Sequence, residues 1–380
     1  MKFIVHGGTL SRSLQSIFGL ITTNNVIPQL GCFLFEFQDN NILITAGDES
    51  TKATLSLELS NFETQGLKRF MVDAKSFYGR VSALGNVPLT FIVDEENYLI
   101  NIKTESGRYS IAGQNAEGYP ELKQIDNPST MIVSSTMLLS AIHRTLFAVG
   151  DDETRPVMTG IFCKQTEDGI IFVSTDAHIM VKYSRRDFTC EEQNSFVLPK
   201  KPLNLIKNLV SSKEEAVDVT MQYNVQNVSF KFDNCFVVTR LIEGKFPNYE
   251  AVIPKDNPNK LIIDRTLFLN SVKRLTPFSE EVSGQIRFKL GGNEVKLSVF
   301  DDNMNVSAEE PLACNYTGDD MEIGFRYKYL NSILTNLESE NIVLEMSQPN
   351  KPGIISPYEE EEKESMEDVI MLIMPIMMVN

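Results

Sequence analysis

An internal repeat constrains the fold of this chain more than any other feature. Three stretches, at 3–18 (FIVHGGTLSRSLQSIF), 131–146 (MIVSSTMLLSAIHRTL) and 261–276 (LIIDRTLFLNSVKRLT), share one pattern. Each has a short apolar strand, a polar turn, a threonine and then apolar residues at helical spacing. Each threonine is predicted to cap its helix or to lie in its first turn, with a hydroxyl that accepts a free backbone N–H. These threonines are Thr9, Thr136 and Thr266.

A second triple repeat lies between the copies of the first. Its copies occupy 70–84 (FMVDAKSFYGRVSAL), 196–210 (FVLPKKPLNLIKNLV) and 323–337 (IGFRYKYLNSILTNL), and they align without gaps. The predicted helix starts fall near positions 9, 74, 136, 200, 266 and 327, at intervals of 61 to 66 residues. Six units of one helix plus several antiparallel strands, paired two by two, predict an α+β chain of three tandem domains. We place these domains at 1–126, 127–253 and 254–380.

Three further segments lie outside the repeated helices. Strand, turn and strand patterns at 98–111 and 228–242 predict hairpins in the first two domains. The apolar run at 369–379 contains a proline and is too short to span a bilayer, so we interpret it as a buried strand followed by a tail. The acidic stretch 359–368 before it is predicted to be a mobile loop.

Charge is distributed unevenly along the chain, whose net charge is −16. The six predicted helical segments together contain eleven Lys and Arg residues and no Asp or Glu, which leaves −27 for the rest. Ordinary solvated helices mix both signs, because i,i+4 pairs favour both. Basic residues that merely decorate exposed helix faces are one interpretation, and a shared surface that meets a polyanion is the other. The residues concerned are Arg12, Lys75, Arg80, Arg144, Lys200, Lys201, Lys207, Lys273, Arg274, Arg326 and Lys328.

The number of helices limits how such a surface could close around DNA. Helices are about 10 Å wide, so six side by side would enclose a bore of only about 10 Å, whereas twelve would leave about 28 Å. A DNA duplex is about 20 Å in diameter, so twelve helices fit and six do not. Two copies of the chain would supply twelve, which favours a homodimer, and two-fold closure is the commonest oligomer arrangement.

Cysteine usage and the N-terminal sequence favour a cytoplasmic protein. The chain begins with only three apolar residues before polar ones intrude, too few for a signal peptide. No C-x-x-C motif is present, which favours reduced thiols over a disulfide framework or a zinc site. The five scattered cysteines are Cys32, Cys163, Cys190, Cys235 and Cys314.

An enzyme is the rival class of function. His178 follows Asp176 closely, but no Ser or Cys nucleophile motif accompanies the pair. The acidic clusters at 151–153, 301–302 and 359–362 are runs typical of solvated loops rather than of a Mg²⁺ site. We therefore expect no catalytic residue, no metal site and no cofactor. A third class, an acidic scaffold that does not bind DNA, stays open at this point.

The sequence resembles the bacterial beta sliding clamp family over essentially its full length. The stretches that carry the resemblance are MKFIV (1–5), STDAHIM (174–180), GKFPNYEAVIP (244–254), MEIGFRYKYLNSIL (321–334) and MPIMM (374–378). The resemblance implies three clamp domains per chain and a head-to-tail homodimeric ring with helices inside and sheets outside. Such a ring is opened by a clamp loader, encircles double-stranded DNA without sequence specificity and tethers the replicative polymerase and repair proteins. It implies no catalytic activity and no membrane association, and it adds Asn24 to the DNA-facing residues.

The resemblance also implies a cleft for short partner peptides between the second and third domains. Exposed-looking methionines, Met158, Met180, Met374, Met377 and Met378, cluster there, and flexible thioethers suit surfaces that fit several partners. Plain core packing is the other interpretation of these methionines from the residues alone. We define the candidate cleft by sixteen residues: Arg155, Met158, Thr175, Ala177, His178, Ile179, Met180, Pro247, Ala251, Val252, Tyr329, Leu372, Met374, Pro375, Ile376 and Met377.

The chain departs from the family pattern within this cleft. Ile179 and Ala251 stand where family members commonly carry arginine, and Met377 replaces the arginine of the usual tail. The tail is also extended by Val379 and Asn380. These changes make the predicted cleft more apolar.

The dimer joint is the last feature that the resemblance implies. Phe278 would pack across the joint against Tyr109 and Ile111 of the second copy, while basic residues face acidic ones. The predicted interface residues are Lys103, Arg108, Tyr109, Ile111, Pro277, Phe278, Glu309 and Glu310.

Overall fold

Six α-helices alternate with groups of strands in the described residues of the computed structural model. The structure describes residues 1–22, 26–38, 40–59, 61–64, 66–121, 125–188, 193–211, 215–359 and 365–377. Within these ranges, every strand pairing is antiparallel, which confirms the α+β prediction. Asn24, Cys190, Met378, Val379 and Asn380 lie outside the described residues, as does half of the acidic stretch, residues 360–364.

The described residues of the first third form two helices and nine strands. They are β1 (Lys2–His6), α1 (Gly7–Phe18), β2 (Cys32–Gln38), β3 (Asn41–Gly47), β4 (Thr51–Glu58), β5 (Phe62–Glu63), β6 (Arg69–Asp73), α2 (Ala74–Ala83), β7 (Pro88–Val93), β8 (Leu99–Lys103) and β9 (Arg108–Ala112).

In the middle third, the residues that the structure describes show the same alternation with two helices and eight strands. They are β10 (Ser129–Ser134), α3 (Ser135–Thr145), β11 (Gly160–Thr166), β12 (Gly169–Thr175), β13 (Ile179–Arg185), β14 (Ser195–Pro199), α4 (Lys200–Ser211), β15 (Asp218–Tyr223), β16 (Asn227–Phe232) and β17 (Cys235–Arg240).

The described part of the last third adds two more helices and nine strands. They are β18 (Asn259–Asp264), α5 (Arg265–Leu275), β19 (Gln285–Gly291), β20 (Glu294–Asp301), β21 (Val306–Ala313), β22 (Asn315–Thr317), β23 (Met321–Arg326), α6 (Tyr327–Thr335), β24 (Asn341–Met346), β25 (Gly353–Tyr358) and β26 (Glu367–Ile373). Short 3₁₀ turns at Pro156–Met158, Tyr249–Val252 and Thr276–Phe278 lie near the candidate sites.

The helix starts agree with the repeat. They fall at Gly7, Ala74, Ser135, Lys200, Arg265 and Tyr327, within two residues of each predicted position. The capping role predicted for the threonines is wrong, although all three lie in first turns. Asp264 accepts the backbone N–H of Leu267 at the start of α5, and Ser134 accepts that of Met137 in α3. A carboxylate or hydroxyl one residue before the helix reaches the free N–H groups better than a residue already inside it.

The described residues form two compact units, which are 1–139 with 201–241, and 140–200 with 242–380. The first unit contains a five-stranded sheet, ordered β5-β1-β7-β8-β9, and an eight-stranded sheet, ordered β10-β15-β16-β17-β4-β3-β2-β6. In the larger sheet, Val237 of β17 lies opposite Ala53 of β4, so pairing continues across the predicted boundary at 126. This unit therefore contains strands from the first two repeats.

The second unit has a nine-stranded sheet, ordered β14-β11-β12-β13-β26-β25-β24-β18-β22. In this sheet β13 pairs with β26, so strands on both sides of residue 253 again share one sheet. A four-stranded sheet, ordered β21-β20-β19-β23, completes the unit. Glu367 and Asp368 belong to β26, so this part of the predicted acidic loop is a strand instead.

Each helix buries one apolar face, as the helical spacing predicts. Leu10, Leu14 and Ile17 of α1 are buried, as are Leu330 and Ile333 of α6. This burial leaves the polar side of each helix outside the core.

Candidate functional site

The six α-helices of the described residues contain no Asp or Glu within their bounds, while eleven Lys and Arg residues lie on them. Acids occur instead one residue before α2 and α5, where Asp73 and Asp264 cap the free N–H groups. The helices in the structure therefore lack acidic residues, as the sequence predicted.

Three of the predicted DNA-facing lysines make no ion pair with another described residue. They are Lys75 on α2, Lys207 on α4 and Lys273 on α5. Lys75 and Lys273 are exposed, and Lys207 is half-buried. These ammonium groups are available to an external anion.

Four other predicted cations have acidic partners within the chain. The Nζ of Lys200 donates to Asp151 Oδ1 at 2.7 Å, and that of Lys201 donates to Asp48 Oδ2. Arg144 bridges Glu338 Oε2 at 3.3 Å and Glu367 Oε1 at 3.1 Å, and its side chain is only 12% exposed. Arg274 binds Glu310 through two nitrogens. A cation held in this way has less attraction left for a phosphate.

Arg144 requires a correction. Its guanidinium lies 5.6 Å from the ring centroid of Tyr183, whose hydroxyl donates to Glu367 Oε2 at 2.7 Å. The side chain is therefore stacked, paired and largely buried, which argues against the predicted contact with DNA. No local pattern in the sequence indicates this arrangement, because Glu338 and Glu367 are 194 and 223 positions away in the chain.

The remaining predicted cations lie at helix surfaces. Arg12 donates to the carbonyl of Gly8 at 3.3 Å, and Arg80 donates to that of Ser76 at 2.9 Å. Arg326 precedes α6, and Lys328 Nζ lies 4.6 Å from the ring centroid of Tyr329.

The candidate cleft residues of the second unit come together through strands β13 and β26. Met180 lies opposite Leu372 in this pair. Beyond β26, the N–H of Met374 donates to the carbonyl of His178 at 2.8 Å, and the N–H of Ile376 donates to Gly324 at 2.8 Å. The tail is thus fixed beside the 175–180 turn rather than free.

A hydrophobic cluster beneath these residues connects the other parts of the candidate cleft. Its buried members are Val173, Met180, Val197, Phe246, Tyr249 and Leu372, and Val157 packs against them. The segments around 157, 246–249 and 372 therefore share one packed support.

Residues above this support differ in exposure. Pro247, Ala251, Val252, Met374 and Met377 are exposed, with Val252 at 53% and Met377 at 83%. By contrast, Thr175, Ile179, Met180, Tyr329 and Leu372 are all buried. The interpretation of Met180 as an exposed methionine is therefore wrong, because residues on both faces of β13 are buried at this point and Met180 packs into the cluster.

Polar groups at one end of the candidate cleft restrain each other. The rings of His178 and Tyr329 stack at 5.5 Å between centroids. Burial, together with the nearby charge of Asp176, raises the pKa of Tyr329 to about 12, so its phenol stays protonated. Arg155 donates to Asp152 Oδ2 at 2.8 Å, and the amide N–H groups of His178 and Ile179 both donate to Asp176. Hydrogen bonds thus hold the Arg155 side chain and the backbone of the turn at 176–179.

The predicted joint residues lie at the ends of two sheets. β9, which carries Arg108 and Tyr109, is the last strand of the five-stranded sheet, and β21, which carries Glu309 and Glu310, is the last of the four-stranded sheet. Tyr109 is 42% and Phe278 43% exposed, whereas Ile111 is buried.

The predicted acidic contacts of the joint are already engaged within the chain. Glu309 pairs with Lys296 at 2.6 Å and Glu310 with Arg274 at 2.6 Å. Sequence reasoning missed both partners. The hydroxyl of Ser271 also donates to Glu310. Ser271 and Arg274 are three positions apart on α5, a spacing that places both side chains on one helix face and could have indicated that they bind the same residue.

Three other kinds of feature are absent from the part of the chain that the structure describes. Within it, no group of His, Cys, Asp and Glu could hold a metal ion, and no disulfide joins Cys32, Cys163, Cys235 or Cys314. No helix there is long and apolar enough to cross a membrane.

Comparisons with known proteins agree along the whole chain. Three family models of the DNA polymerase III beta subunit match consecutive stretches: the N-terminal domain at 1–123, the central domain at 132–248 and the C-terminal domain at 250–375. The beta sliding clamp of Synechocystis sp. is 25% identical over 401 residues and covers 100% of both chains. That of Bacillus subtilis is 23% identical over 385 residues and covers 99% of both.

Solved structures share the fold. The sliding clamp of Pseudomonas aeruginosa superposes with a TM-score of 0.91 at 20% identity, and the DNA polymerase III beta subunit of Thermotoga maritima with 0.89 at 22%. Each alignment covers 100% of both chains. The architecture is that of a chain of three clamp domains.

The chain belongs to the bacterial beta sliding clamp family, the beta subunit of DNA polymerase III. The predicted three-domain organisation and family are thereby confirmed, while the residue boundaries at 126 and 253 stay predictions. As a sliding clamp, the chain is a non-catalytic subunit that serves DNA polymerase processivity.

Proposed function

We propose that two copies of this chain close head to tail into a ring around duplex DNA. The two open sheet ends support this arrangement. An edge strand exposes unpaired backbone groups that favour pairing with another chain. If β9 of one copy pairs with β21 of the other, sheets of five and four strands become one of nine, the same size as the largest sheet within the chain.

Charge and apolar exposure at these ends also fit a joint between copies. Lys103 and Arg108 are exposed on the β8–β9 hairpin, whereas β21 carries the exposed Glu309. Phe278 and Tyr109 are large exposed rings on the two sides, and such anchors dominate interfaces. Opposite charges at the rim would set the orientation more than the affinity.

The six acid-free helices are the observation that carries the DNA proposal. The chain has a net charge of −16, yet eleven cations lie on its helices. The surfaces of these helices are therefore suited to attract phosphates. Lys75, Lys207 and Lys273 are the principal contacts, and release of counterions would make binding independent of sequence. Domains at 1–126, 127–253 and 254–380 would each supply two helices to the ring.

The candidate cleft is proposed as the docking site for short peptides of the replicative polymerase, the clamp loader and repair proteins. Its exposed Val252, Met374 and Met377 lie on or beside a packed support, which fits a preformed site for apolar side chains. Replication and free thiols both suit the cytoplasm, where we place the protein.

Topology on DNA tests the ring. The chain is first sized by sedimentation velocity, where a dimer is expected. It is then loaded with its clamp loader and ATP onto a nicked circular plasmid and separated by gel filtration. A ring stays with circular DNA and leaves after linearisation with a restriction enzyme. Retention that is equal on both forms would indicate simple surface binding, and no retention on either would favour the acidic scaffold that does not bind DNA.

A further inference from the structure

Three side chains connect helix α5 to the edge strand β21. Arg274 Nε donates to Glu310 Oε1 at 2.9 Å, and its Nη2 donates to Glu310 Oε2 at 2.6 Å. The hydroxyl of Ser271, a fully buried residue, donates to the same Oε2 at 2.7 Å. We call Ser271, Arg274 and Glu310 the α5–β21 link.

Glu310 has little capacity left for a further partner. A carboxylate accepts about four hydrogen bonds, and three are used within the chain. The hydrogen bond from Arg274, followed by that from Ser271, lowers the pKa of the Glu310 carboxyl. Its side chain is only 25% exposed. This geometry does not favour the direct contact between Glu310 and a partner's basic residue that the resemblance implied.

Arg274 is likewise unsuited to the role of a free DNA contact. Two N–H groups on one edge of its guanidinium donate to Glu310. Bidentate ion pairs of this kind are stronger than pairs with one hydrogen bond, and their geometry is fixed. Lys273, one position earlier, is exposed and makes no ion pair with another described residue. Two neighbouring cations on α5 therefore have different environments.

The link lies where it can determine the shape of the joint. α5 ends at Leu275, and the turn Thr276–Phe278 that follows packs against β20 and β21. Phe278, the exposed ring of this turn, is four residues after Arg274. Holding α5 against β21 fixes Phe278 relative to the strand edge.

We propose that Arg274 and Glu310 position the joint, holding Phe278 and the edge of β21 in the arrangement that a second copy recognises. This inference rests on the proposed ring. Rigid presentation lowers the entropy lost on association, so the link strengthens dimerisation without touching the partner. The Lys296–Glu309 pair does not share this role, because both side chains are more than 40% exposed and such pairs contribute little.

Charge exchange tests the proposal. Arg274→Glu and Glu310→Arg are each expected to raise the dimer dissociation constant at least about tenfold. The double variant R274E/E310R restores the pair and is expected to return the constant to within about threefold of wild type. Dimerisation is measured by sedimentation equilibrium, and far-UV circular dichroism checks the fold.

Lys273→Glu is the matched control. It is expected to leave dimerisation within about twofold of wild type and to weaken binding to a short duplex at low salt, because only its own phosphate attraction is lost. The double exchange, in contrast, is expected to bind that duplex much as wild type does. If an exchanged pair does not fold, Arg274→Lys and Arg274→Gln replace it, and lysine is expected to retain more dimer than glutamine.

Different outcomes separate the two proposals. A monomeric wild type would overturn the ring. A dimeric wild type whose double exchange is no better than the single variants would overturn the positioning role. R274E/E310R could also lose as much duplex binding as K273E while its dimerisation is unchanged. That result would show that Arg274 contacts DNA instead of positioning the joint.

Discussion

The candidate cleft and the basic helices differ in what their exposed side chains contact. In the cleft, Val252 and Met377 are more than half exposed and lie in segments fixed to a packed cluster. On the helices, Lys201 and Arg274 are exposed and Lys200 is half-buried, yet all three are paired with carboxylates of the same chain. An exposed methionine has no such internal partner. Exposed apolar side chains on rigid segments therefore indicate an external partner more directly than exposed cations do.

The largest effect is expected at the dimer joint, because its residues include both exposed apolar side chains and charged side chains that are paired within the chain. Phe278→Arg removes the apolar anchor and places a charge in the interface, so we expect the dimer dissociation constant to rise at least about a hundredfold. Glu309→Ala removes only a rim ion pair and is expected to change it by less than about fivefold. Sedimentation equilibrium measures both, and comparable effects would contradict the ranking.

The helices can be tested by comparing free with paired cations. In one triple variant Lys75, Lys207 and Lys273 become Gln. Each lost phosphate contact should reduce the dependence of log K on log salt by about 0.9, or by about three in all. In the matched triple variant Arg144, Lys200 and Lys201 become Gln, and the slope is expected to fall by less than about one.

Binding to a short fluorescent duplex, titrated between low and moderate salt, measures both slopes. Glutamine is preferred to glutamate here, because a new carboxylate at 200 or 201 would lie beside Asp151 or Asp48 and repel it. Equal slopes for the two triple variants would mean that internal pairing does not decide which cations meet DNA.

Sequence reasoning located the helices because the repeat presents the same evidence six times. Each copy predicted a helix start to within two residues, and the hairpins at β8–β9 and β16–β17 followed from alternation and turns. The residues that cap the helices do not follow the repeat in this way. Asp264 rather than Thr266 caps α5, since the decisive hydrogen bond depends on where the backbone leaves helical geometry.

Features that depend on distant parts of the chain could not be predicted locally. Met180 is buried because β13 pairs with β26, almost two hundred residues later. Arg144 is buried because Glu367 lies on that same late strand. The continuous sheets that join neighbouring repeats, such as β17 beside β4, likewise leave no periodic signal in the sequence.

The tail provides a test of the cleft with a smaller expected effect. Removing residues 376–380 deletes Met377, which is 83% exposed, and the bridge from Ile376 to Gly324. We expect a peptide of the form Q-L-x-L-F to bind at least about tenfold more weakly by fluorescence anisotropy, since each apolar side chain buried contributes about 1.5–3 kcal/mol. Dimerisation should be unchanged.

Two valines provide a matched control for the cleft. Val252→Ser should weaken the same peptide, whereas Val225→Ser, at a position 90% exposed in the β15–β16 turn, should not. Unchanged affinity after truncation, with the dimer intact, would place peptide binding elsewhere.

The smallest expected effect concerns the stability contributed by one of the paired cations. Burial alone would raise the pKa of the Asp48 carboxyl, but hydrogen bonds from Lys201 and from the backbone N–H groups of Ser50 and Thr51 outweigh it and lower that pKa. A depressed pKa means that Asp48 stabilises the fold above its unfolded pKa of about 3.9, and that this contribution disappears as the pH falls through the lower, folded value.

Asp48→Asn should therefore lower the free energy of unfolding by about 1 kcal/mol at neutral pH, and the difference from wild type should shrink below about pH 4. Urea unfolding followed by far-UV circular dichroism measures this, because the chain contains no tryptophan. Asp94 accepts similar backbone hydrogen bonds from Glu96 and Asn97 but binds no lysine side chain, so Asp94→Asn is the control and should lose less. A difference for Asp48→Asn that stays constant from neutral to acidic pH would show that Lys201 is not held by the Asp48 carboxylate. Lys201 would then join Lys75, Lys207 and Lys273 among the cations available to DNA.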